Sequence, residues 1–343
     1  MIADELPGPH GDAEGAEESY EEIGHHAAPV QPGGETDFGA VESDEREAAD
    51  REAGEPAPGG GTAFAMRERE RKREREGEEE FEYHTGTVRP SEAPDAIEFI
   101  DVHKSFGRNH VLRGLNMGLP EDKISMILGP SGTGKSVCIK HIVGLLYPDE
   151  GDVLVHGTSI PSLGDAELFE TRKKFGVLFQ DGALFGSLNL WDNVAFPLRQ
   201  HTEKGDEEIA EIVNRRMSEV GLGGEGSKMP NQLSGGMRKR AGFARALVLD
   251  PEIVLFDEPD SGLDPVRTAL LCELIKEIHA ENGGCYVVIT HDIMSARRVA
   301  EHISVLWKGR IVESGPAEDL FASENPFVRQ FLSGESAGPL GME

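Results

Sequence analysis

The stretch Gly129-Pro130-Ser131-Gly132-Thr133-Gly134-Lys135-Ser136 decides the fold, because it joins an apolar strand pattern at residues 123–128 to a helical pattern at about 135–145. It matches G-x-x-x-x-G-K-[ST], the spacing of a loop that cradles phosphate groups between a strand and a helix. Glycines let backbone N–H groups approach phosphate oxygens closely, and the helix N-terminus adds a positive dipole end. We therefore expect nucleotide phosphates to bind here.

Individual residues of this loop have distinct expected roles. Lys135 should neutralise the β- and γ-phosphates, and Ser136 should place its hydroxyl on Mg²⁺. Val137, the next residue, completes the predicted nucleotide-binding set. The alternative is a glycine-rich turn that matches by chance, and the flanking strand and helix patterns disfavour it.

A second group of candidate residues ends the apolar strand Ile253-Val254-Leu255-Phe256-Asp257-Glu258. The carboxyl end of such a strand faces the phosphate site in an open α/β sheet. Asp257 should hold Mg²⁺ through water, and Glu258 should polarise the attacking water. Alone, two carboxylates after a strand could equally mark a solvated acidic loop. Together with the glycine-rich loop, they predict nucleotide hydrolysis.

The order of strand and helix patterns predicts an α/β fold with three layers and a largely parallel central sheet. The predicted strands are residues 97–102, 111–117, 123–128, 152–155, 174–179, 253–256, 285–290 and 303–307, and later helices are 266–279 and 294–301. The first strands lack intervening helices and should form an antiparallel side sheet. Residues 188–246 show helical stretches without strands, which indicates a helical insertion.

Residues 1–95 are predicted to form an acidic, disordered N-terminal extension. They contain 27 acidic and 9 basic residues, and the whole chain of 343 residues has a net charge of −29. Few large apolar side chains are present to offset chain entropy. Within this range, residues 67–82 alternate Arg and Glu, for which a solvated linker is the plainer interpretation and a regulatory or docking arm is the alternative. We expect the nucleotide-binding domain over residues 96–322 and a tail over 323–343.

Composition also excludes several classes of protein. Cys138, Cys272 and Cys285 show no spacing of a disulfide framework or zinc site, which favours a reducing, cytoplasmic setting. No apolar run approaches the ~20 residues of a membrane helix. The N-terminus lacks the basic start and apolar core of a signal peptide. The acidic balance argues against nucleic acid as a partner.

The element Leu233-Ser234-Gly235-Gly236-Met237, before a basic helix, resembles the signature of the ATP-binding-cassette (ABC) family. This resemblance spans about residues 97–320 and implies a P-loop NTPase cassette with a RecA-like core, an antiparallel β subdomain and a helical insertion. It implies that Ser234, Gly235 and Gly236 face the γ-phosphate of ATP bound by a second copy, so that a homodimer encloses two ATP molecules with Mg²⁺. Met237 replaces the commoner Gln. A helix C-cap is the alternative interpretation of Gly235-Gly236.

Further elements match the family. Gln180 resembles the Gln loop that contacts Mg²⁺ and the membrane partner, and Ser261-Gly262-Leu263-Asp264 resembles the loop that crosses the dimer. His291 resembles the switch histidine that touches the γ-phosphate, although a lone histidine after a strand is usually an ordinary polar residue. Phe106 lies where the family stacks an aromatic ring on adenine, although it could equally belong to the core. The resemblance thus implies catalytic roles for Glu258, His291, Lys135 and Gln180.

A finer resemblance concerns the ATPases of lipid transporters that work with mammalian-cell-entry (MCE) proteins. It rests on Phe179-Gln180-Asp181-Gly182-Ala183-Leu184-Phe185, Asn193-Val194-Ala195-Phe196-Pro197-Leu198-Arg199, Met237, Asp260 and the C-terminal tail. It implies a membrane permease and MCE-type lipid-binding proteins as partners, a lipid cargo, and a peripheral position at the cytoplasmic face of the membrane. The tail would pack on the neighbouring subunit, or else fray.

Two other functions remain open from sequence. An ABC importer ATPase for a polar solute would share every catalytic residue. A soluble ABC ATPase acting in DNA repair or on ribosomes is disfavoured, because repair members carry a long coiled coil and ribosomal members carry two cassettes. Residues 188–246 are too short for such a coiled coil, and no internal repeat is visible.

Overall fold

The computed structural model describes residues 81–85, 94–180 and 182–340 of the chain. Most of the predicted disordered extension, and residues 341–343 of the predicted tail, lie outside these described residues. The strands are β1 Asp95–Phe106, β2 Asn109–Pro120, β3 Ile124–Leu128, β4 Glu150–Val155, β5 Thr158–Ser159, β6 Phe175–Leu178, β7 Ile253–Asp257, β8 Cys285–Thr290, β9 His302–Trp307 and β10 Arg310–Pro316. The helices are α1 Lys135–Ile142, α2 Asp165–Arg172, α3 Leu190–His201, α4 Asp206–Glu219, α5 Gly235–Leu247, α6 Pro265–Asn282, α7 Ile293–Val299, α8 Ala317–Phe321 and α9 Pro326–Ser333, with short 3-10 turns at Ile160–Ser162 and Pro230–Gln232.

The central sheet has six strands in the order β10-β9-β3-β8-β7-β6, and all neighbours except β10 and β9 pair in parallel. Every residue of β3 and β8 is buried, as expected for parallel strands with both faces covered. This confirms the predicted α/β fold and its largely parallel sheet. The parallel arrangement brings the carboxyl ends of β3, β7 and β8 to one edge, where the site residues follow.

A second sheet flanks this core, with four strands in the order β2-β1-β4-β5 and antiparallel pairing throughout. Its inward side chains, among them Ile97, Phe99 and Leu115, pack with Ile139 and Ile142 of α1 in one buried cluster. The predicted antiparallel side sheet is therefore confirmed. Helix α1 ends earlier than residue 145, because Gly144 adopts a left-handed backbone with φ 65° that stops the helix.

The predicted helical insertion is also confirmed. Within residues 188–246, all of which are described, α3, α4 and α5 are joined by turns and no strand intervenes. Val194, Val213 and Phe243, one from each helix, are fully buried in a shared apolar cluster. The cluster continues into the central sheet through Phe256, whose ring lies 5.1 Å from that of Phe243. The insertion thus extends the core and holds the start of α5 in a fixed place.

A short segment at residues 81–85 packs on the hairpin of β9 and β10. His84 stacks on Trp307 with ring centroids 6.1 Å apart, and the backbone N–H of Thr85 donates to the Val312 carbonyl at 3.0 Å. This contact lies within the range predicted to be a disordered extension, so ordered chain occurs before the predicted boundary at residue 96. The pattern was too short and too polar to predict an element.

The C-terminal tail packs on its own chain. Phe327, Val328 and Leu332 of α9 are buried, and the Phe327 ring lies 4.5 Å from that of Trp307. Gln330 joins the last described residue to the helix, since its Oε1 accepts from the Leu340 backbone N–H at 2.7 Å. None of the helices in the described part of the chain is both long enough and apolar enough to cross a membrane.

Candidate nucleotide site

The glycine-rich loop joins β3 to α1 and holds the ammonium group of Lys135. Lys135 Nζ donates to the carbonyls of Gly129 and Pro130, both at 2.8 Å, so the side chain lies across the loop. Burial lowers the pKa of Lys135, and the nearby carboxylates of Glu258 and Asp257 act in the opposite direction. A partly desolvated cation enclosed by backbone is suited to exchange its carbonyl partners for phosphate oxygens.

Ser136 and Asp257 meet at the carboxyl edge of the sheet. Ser136 Oγ donates to Asp257 Oδ1 at 2.8 Å, and burial raises the pKa of the Asp257 carboxyl although this hydrogen bond opposes the rise. Hydroxyl and carboxylate oxygens are the ligands that Mg²⁺ accepts. Among the described residues, no group of three or more His, Cys, Asp or Glu side chains could hold a metal ion. Mg²⁺ is commonly held by one or two protein oxygens together with waters and substrate phosphates, and the oxygens of Ser136 and Asp257 fit that kind of site.

Glu258 and His291 follow β7 and β8, which are neighbours in the sheet. Glu258 Oε1 lies 3.5 Å from His291 Nδ1, and the Glu258 backbone N–H donates to the Ile289 carbonyl at 2.8 Å. Glu258 also has a left-handed backbone with φ 49°, a conformation that costs a non-glycine residue of order 1 kcal/mol or more and occurs often at functional sites. The structure thus brings together the two groups that the sequence assigned to hydrolysis.

Gln180 reaches the loop that follows Glu258. Its Nε2 donates to Ser261 Oγ at 3.1 Å, which links the end of β6 to residues 258–264. Asp181, the next residue of the predicted Gln loop, lies outside the described residues. Because β6 and β7 pair in parallel, Gln180, Asp257 and Glu258 follow the same edge of the sheet.

The Ser-Gly-Gly element begins α5 and does not close a helix. Ser234 is the N-cap residue, and its Oγ accepts from the Met237 backbone N–H at 3.2 Å. The first turn therefore presents free N–H groups at a helix N-terminus, the arrangement that binds anions.

Phe106 and Asp264 have the weakest links to the rest of the site. Phe106 is the last residue of β1 and is 49% exposed, so it is not a core residue. The Lys104 ammonium lies 5.8 Å from the centroid of its ring. Asp264 caps α6, since its Oδ1 accepts from the backbone N–H groups of Val266 and Arg267, and the Arg267 hydrogen bond lowers its carboxyl pKa. This cap role is separate from the predicted contact with ATP, which stays a prediction.

Two buried charged residues near the site have no role predicted from sequence. Lys239 lies on α5, and Asp260 lies in the loop after Glu258. Sequence reasoning placed Lys239 in a basic helix and noted Asp260 only as a point of resemblance. Charged side chains are rarely buried without a partner, but burial itself cannot be read from sequence.

Comparisons with known proteins agree with this geometry. The model of the ABC transporter family matches residues 112–261. A probable ribonucleotide transport ATP-binding protein, mkl, of Mycobacterium leprae is 52% identical over 247 residues, or 72% of this chain and 71% of that protein. The intermembrane phospholipid transport system ATP-binding protein MlaF of Escherichia coli K12 is 39% identical over 244 residues, or 71% of this chain and 91% of that protein.

Solved structures give the same result for the fold. One is an ATP-binding cassette in a dimeric, post-hydrolysis state bound to ADP and Pi. It aligns with this chain at a TM-score of 0.60 and 32% sequence identity, and the alignment covers 64% of this chain and 98% of the cassette. A further structure of a dimeric bacterial ABC transporter cassette has the same score, identity and coverage.

Proposed function

Because the chain belongs to the family of ABC transporter ATP-binding proteins, which hydrolyse ATP, we propose that it does so at two sites shared between two copies and drives lipid transport. The observation that carries the catalytic part is the close approach of Glu258 Oε1 to His291 Nδ1, 3.5 Å, beside the Ser136–Asp257 pair. An acid–base group, an imidazole and two oxygen ligands then converge next to the phosphate-binding loop.

Glu258 is assigned to the attacking water. Its backbone N–H donates to the Ile289 carbonyl, which fixes the main chain from which the carboxylate extends. A base held in place contributes more than a mobile one, because no reorganisation is needed in the transition state. His291 is assigned to the γ-phosphate, where its position beside Glu258 lets it stabilise developing charge.

Lys135 is assigned to the β- and γ-phosphates, and the other residues from Gly129 to Val137 are assigned to the nucleotide. The glycine N–H groups of the loop would donate to phosphate oxygens, whereas Pro130 has no N–H to donate. Mg²⁺, held by Ser136, Asp257 and Gln180, would supply positive charge that stabilises the transferring phosphoryl group. Phe106 is assigned to stacking on the adenine ring. Its exposed side chain supports this role.

The second half of each site comes from the partner copy. We assign Ser234, Gly235, Gly236 and Asp264 to it. Support comes from the N-terminus of α5, whose first-turn N–H groups are open to an anion, and from the dimeric state of related cassettes. A single copy is therefore expected to be a poor enzyme, and loss of the γ-phosphate should open the dimer.

The proposed cargo is a lipid, moved with a membrane permease and MCE-type proteins at the cytoplasmic face of the membrane. The name of the relative MlaF, an intermembrane phospholipid transport protein, supports this cargo, and so does the resemblance at Met237 and Asp260. The name of the mkl relative indicates ribonucleotide transport instead, which would be a polar cargo. Domain limits at residues 96–322, with an acidic extension before and a tail after, are part of the same proposal.

Isolation of the whole complex tests the cargo. The tagged chain would be purified from membranes in mild detergent, with an untagged strain as the matched control, and its partners and bound small molecules identified by mass spectrometry. The proposal expects a permease, MCE-type proteins and an enriched lipid class that the control lacks. A permease with a solute-binding protein that retains a ribonucleotide or another polar solute would contradict the lipid cargo and leave the ATPase assignment intact.

A further inference from the structure

Lys239 connects the start of α5 to the loop that carries Glu258. The Lys239 side chain is buried, with 5% of the residue exposed, and its Nζ donates to the Pro259 carbonyl at 2.8 Å and to the Ser261 carbonyl. Lys239 lies five residues after Ser234 on one continuous helix, about 7.5 Å along its axis. A displacement at Ser234 therefore moves Lys239 and the loop that it holds.

Asp260 connects the same loop to the segment that carries His291. Only 9% of Asp260 is exposed, and its Oδ2 accepts from Thr290 Oγ1 at 2.6 Å and from Ser295 Oγ at 3.1 Å. Thr290 Oγ1 also accepts from the Asp292 backbone N–H at 2.9 Å, so both neighbours of His291 belong to this hydrogen-bond group. The loop between Glu258 and Asp264 is thus tied on one side to α5 and on the other to His291.

The buried contacts of Lys239 and Asp260 are not explained by stability alone. Burial of an ammonium or a carboxylate carries a desolvation cost, and apolar side chains of similar volume commonly stabilise as well or better. Asp260 Oδ1 is also buried without a hydrogen-bond partner among the described residues, which adds to that cost. These hydrogen bonds can instead fix the geometry of the loop. Lys239 holds the carbonyls of Pro259 and Ser261, and Asp260 holds the hydroxyls of Thr290 and Ser295.

We propose that Lys239 and Asp260 form a positioning relay that couples the partner's nucleotide, at Ser234, to Glu258 and His291 of the same subunit. The proposal rests on the shared site described under proposed function. Neither residue touches the nucleotide; Lys239 positions the loop and Asp260 positions the histidine segment. The relay makes hydrolysis at one site depend on whether the other site is filled, because each α5 reads the nucleotide of the opposite subunit.

The test compares Lys239→Met with Arg240→Met in the full chain. Arg240 is the next residue of α5, but its Nη1 donates to the carbonyls of Val220 and Gly221, away from the loop. For Lys239→Met we expect kcat to fall ~10- to 100-fold, as for a small misplacement of catalytic groups, with KM and ATP affinity within about twofold. The Hill coefficient for ATP should fall from about 2 toward about 1.

Controls separate the relay from a structural role. Arg240→Met should keep kcat and the Hill coefficient within about twofold of the unmodified chain. Lys239→Arg keeps a charged donor but is larger, so it should retain more activity than Lys239→Met without full recovery. A Lys239→Met variant with unchanged kcat and Hill coefficient would overturn the relay. So would a loss of kcat that follows a matching drop in the unfolding midpoint.

If Lys239→Met fails to fold, Asp260→Asn combined with His291→Ala keeps the proposal testable. The relay predicts that Asp260→Asn costs much less when His291 is already absent, whereas additive losses would overturn it. Glu258→Gln measured in parallel distinguishes the two proposals. Near-normal hydrolysis by Glu258→Gln would refute the catalytic site itself, while an inactive Glu258→Gln beside a normal Lys239→Met would refute only the relay.

Discussion

Replacing Gly129 by alanine places a methyl group against the backbone of β9. The added Cβ would lie 2.2 Å from the Leu306 carbonyl oxygen, whereas carbon and oxygen atoms in weak contact lie about 3.3 Å apart. Gly129 also has φ +155°, in a region that alanine rarely adopts. Leu306 is buried within the central sheet, so its carbonyl cannot yield without disturbing the strand pairs around it. The loop must move instead.

The expected loss of unfolding free energy follows from two effects, the positive φ of Gly129 and the contact of the added Cβ with the Leu306 carbonyl. A positive φ costs a non-glycine residue ~1–2 kcal/mol, and forcing one extra carbon into a packed interior costs a further ~1–3 kcal/mol. We expect Gly129→Ala to lose about 3 kcal/mol of unfolding free energy, a large part of the ~5–15 kcal/mol that a domain has. Nucleotide affinity should fall as well, because the loop that moves carries the N–H groups at the phosphate site.

Gly132→Ala is the matched control in the same loop. Gly132 has φ +80°, but a Cβ there meets nothing within 4 Å, so only the conformational cost of ~1–2 kcal/mol remains. Urea unfolding followed by far-UV circular dichroism, with titration of a fluorescent ATP analogue, measures both effects. Equal unfolding midpoints and equal nucleotide affinities in the two variants would refute the close approach of Gly129 to β9.

Two further predictions concern the packing around the site. Phe327→Ala should lower the unfolding free energy by ~3–5 kcal/mol, because the ring is fully buried, and the same urea titration measures the loss. Val266→Ala is the control: this side chain is 69% exposed, so its loss should change the unfolding free energy by no more than ~0.5 kcal/mol. A small loss at Phe327 would contradict the docking of α9. Burial raises the pKa of the Cys138 and Cys285 thiols to about 12, and Cys272 is buried as well. At pH 8 the native protein should therefore resist alkylation, whereas all three thiols should react in urea. Fast labelling of the native protein would argue against the burial of these cysteines.

The central sheet and the side sheet could be predicted from sequence because their signals are local. Buried parallel strands such as β3 and β8 are continuous apolar runs, and the glycine-rich loop fixes the register of strand, loop and helix around residues 129–136. The acidic end of β7 adds its carboxylates at the sheet edge that parallel pairing dictates. Motif spacing therefore predicted which side chains follow the sheet.

Elements with weak patterns were missed. Helix α2 buries only Leu168, so its sequence carries almost no helical apolar face. Strand β10 lies at the edge of the sheet, and Glu313, Ser314 and Gly315 interrupt its apolar residues. In α9, the apolar residues could indicate packing, but the surface that receives them is created by Trp307 in another part of the chain. Such surfaces depend on the tertiary fold.

The positions of charged groups could not be predicted for the same reason. Lys239 is one of several cations in a basic helix, and only the packing of α5 against the loop at Pro259 selects it for burial. The 3.5 Å approach of Glu258 to His291 likewise depends on two strands that are adjacent in the sheet although their ends are 33 residues apart in sequence.

Hydrolysis and dimer formation by Glu258→Gln test the central claim most directly. The substitution keeps the shape of the side chain but removes its ability to accept a proton from the attacking water. Steady-state ATP hydrolysis should fall at least ~100-fold, the contribution of a positioned general base, while size-exclusion chromatography with light scattering shows a dimer that forms with ATP and not with ADP. Turnover near that of the unmodified chain, or a variant that stays monomeric at saturating ATP, would contradict a site completed by two copies.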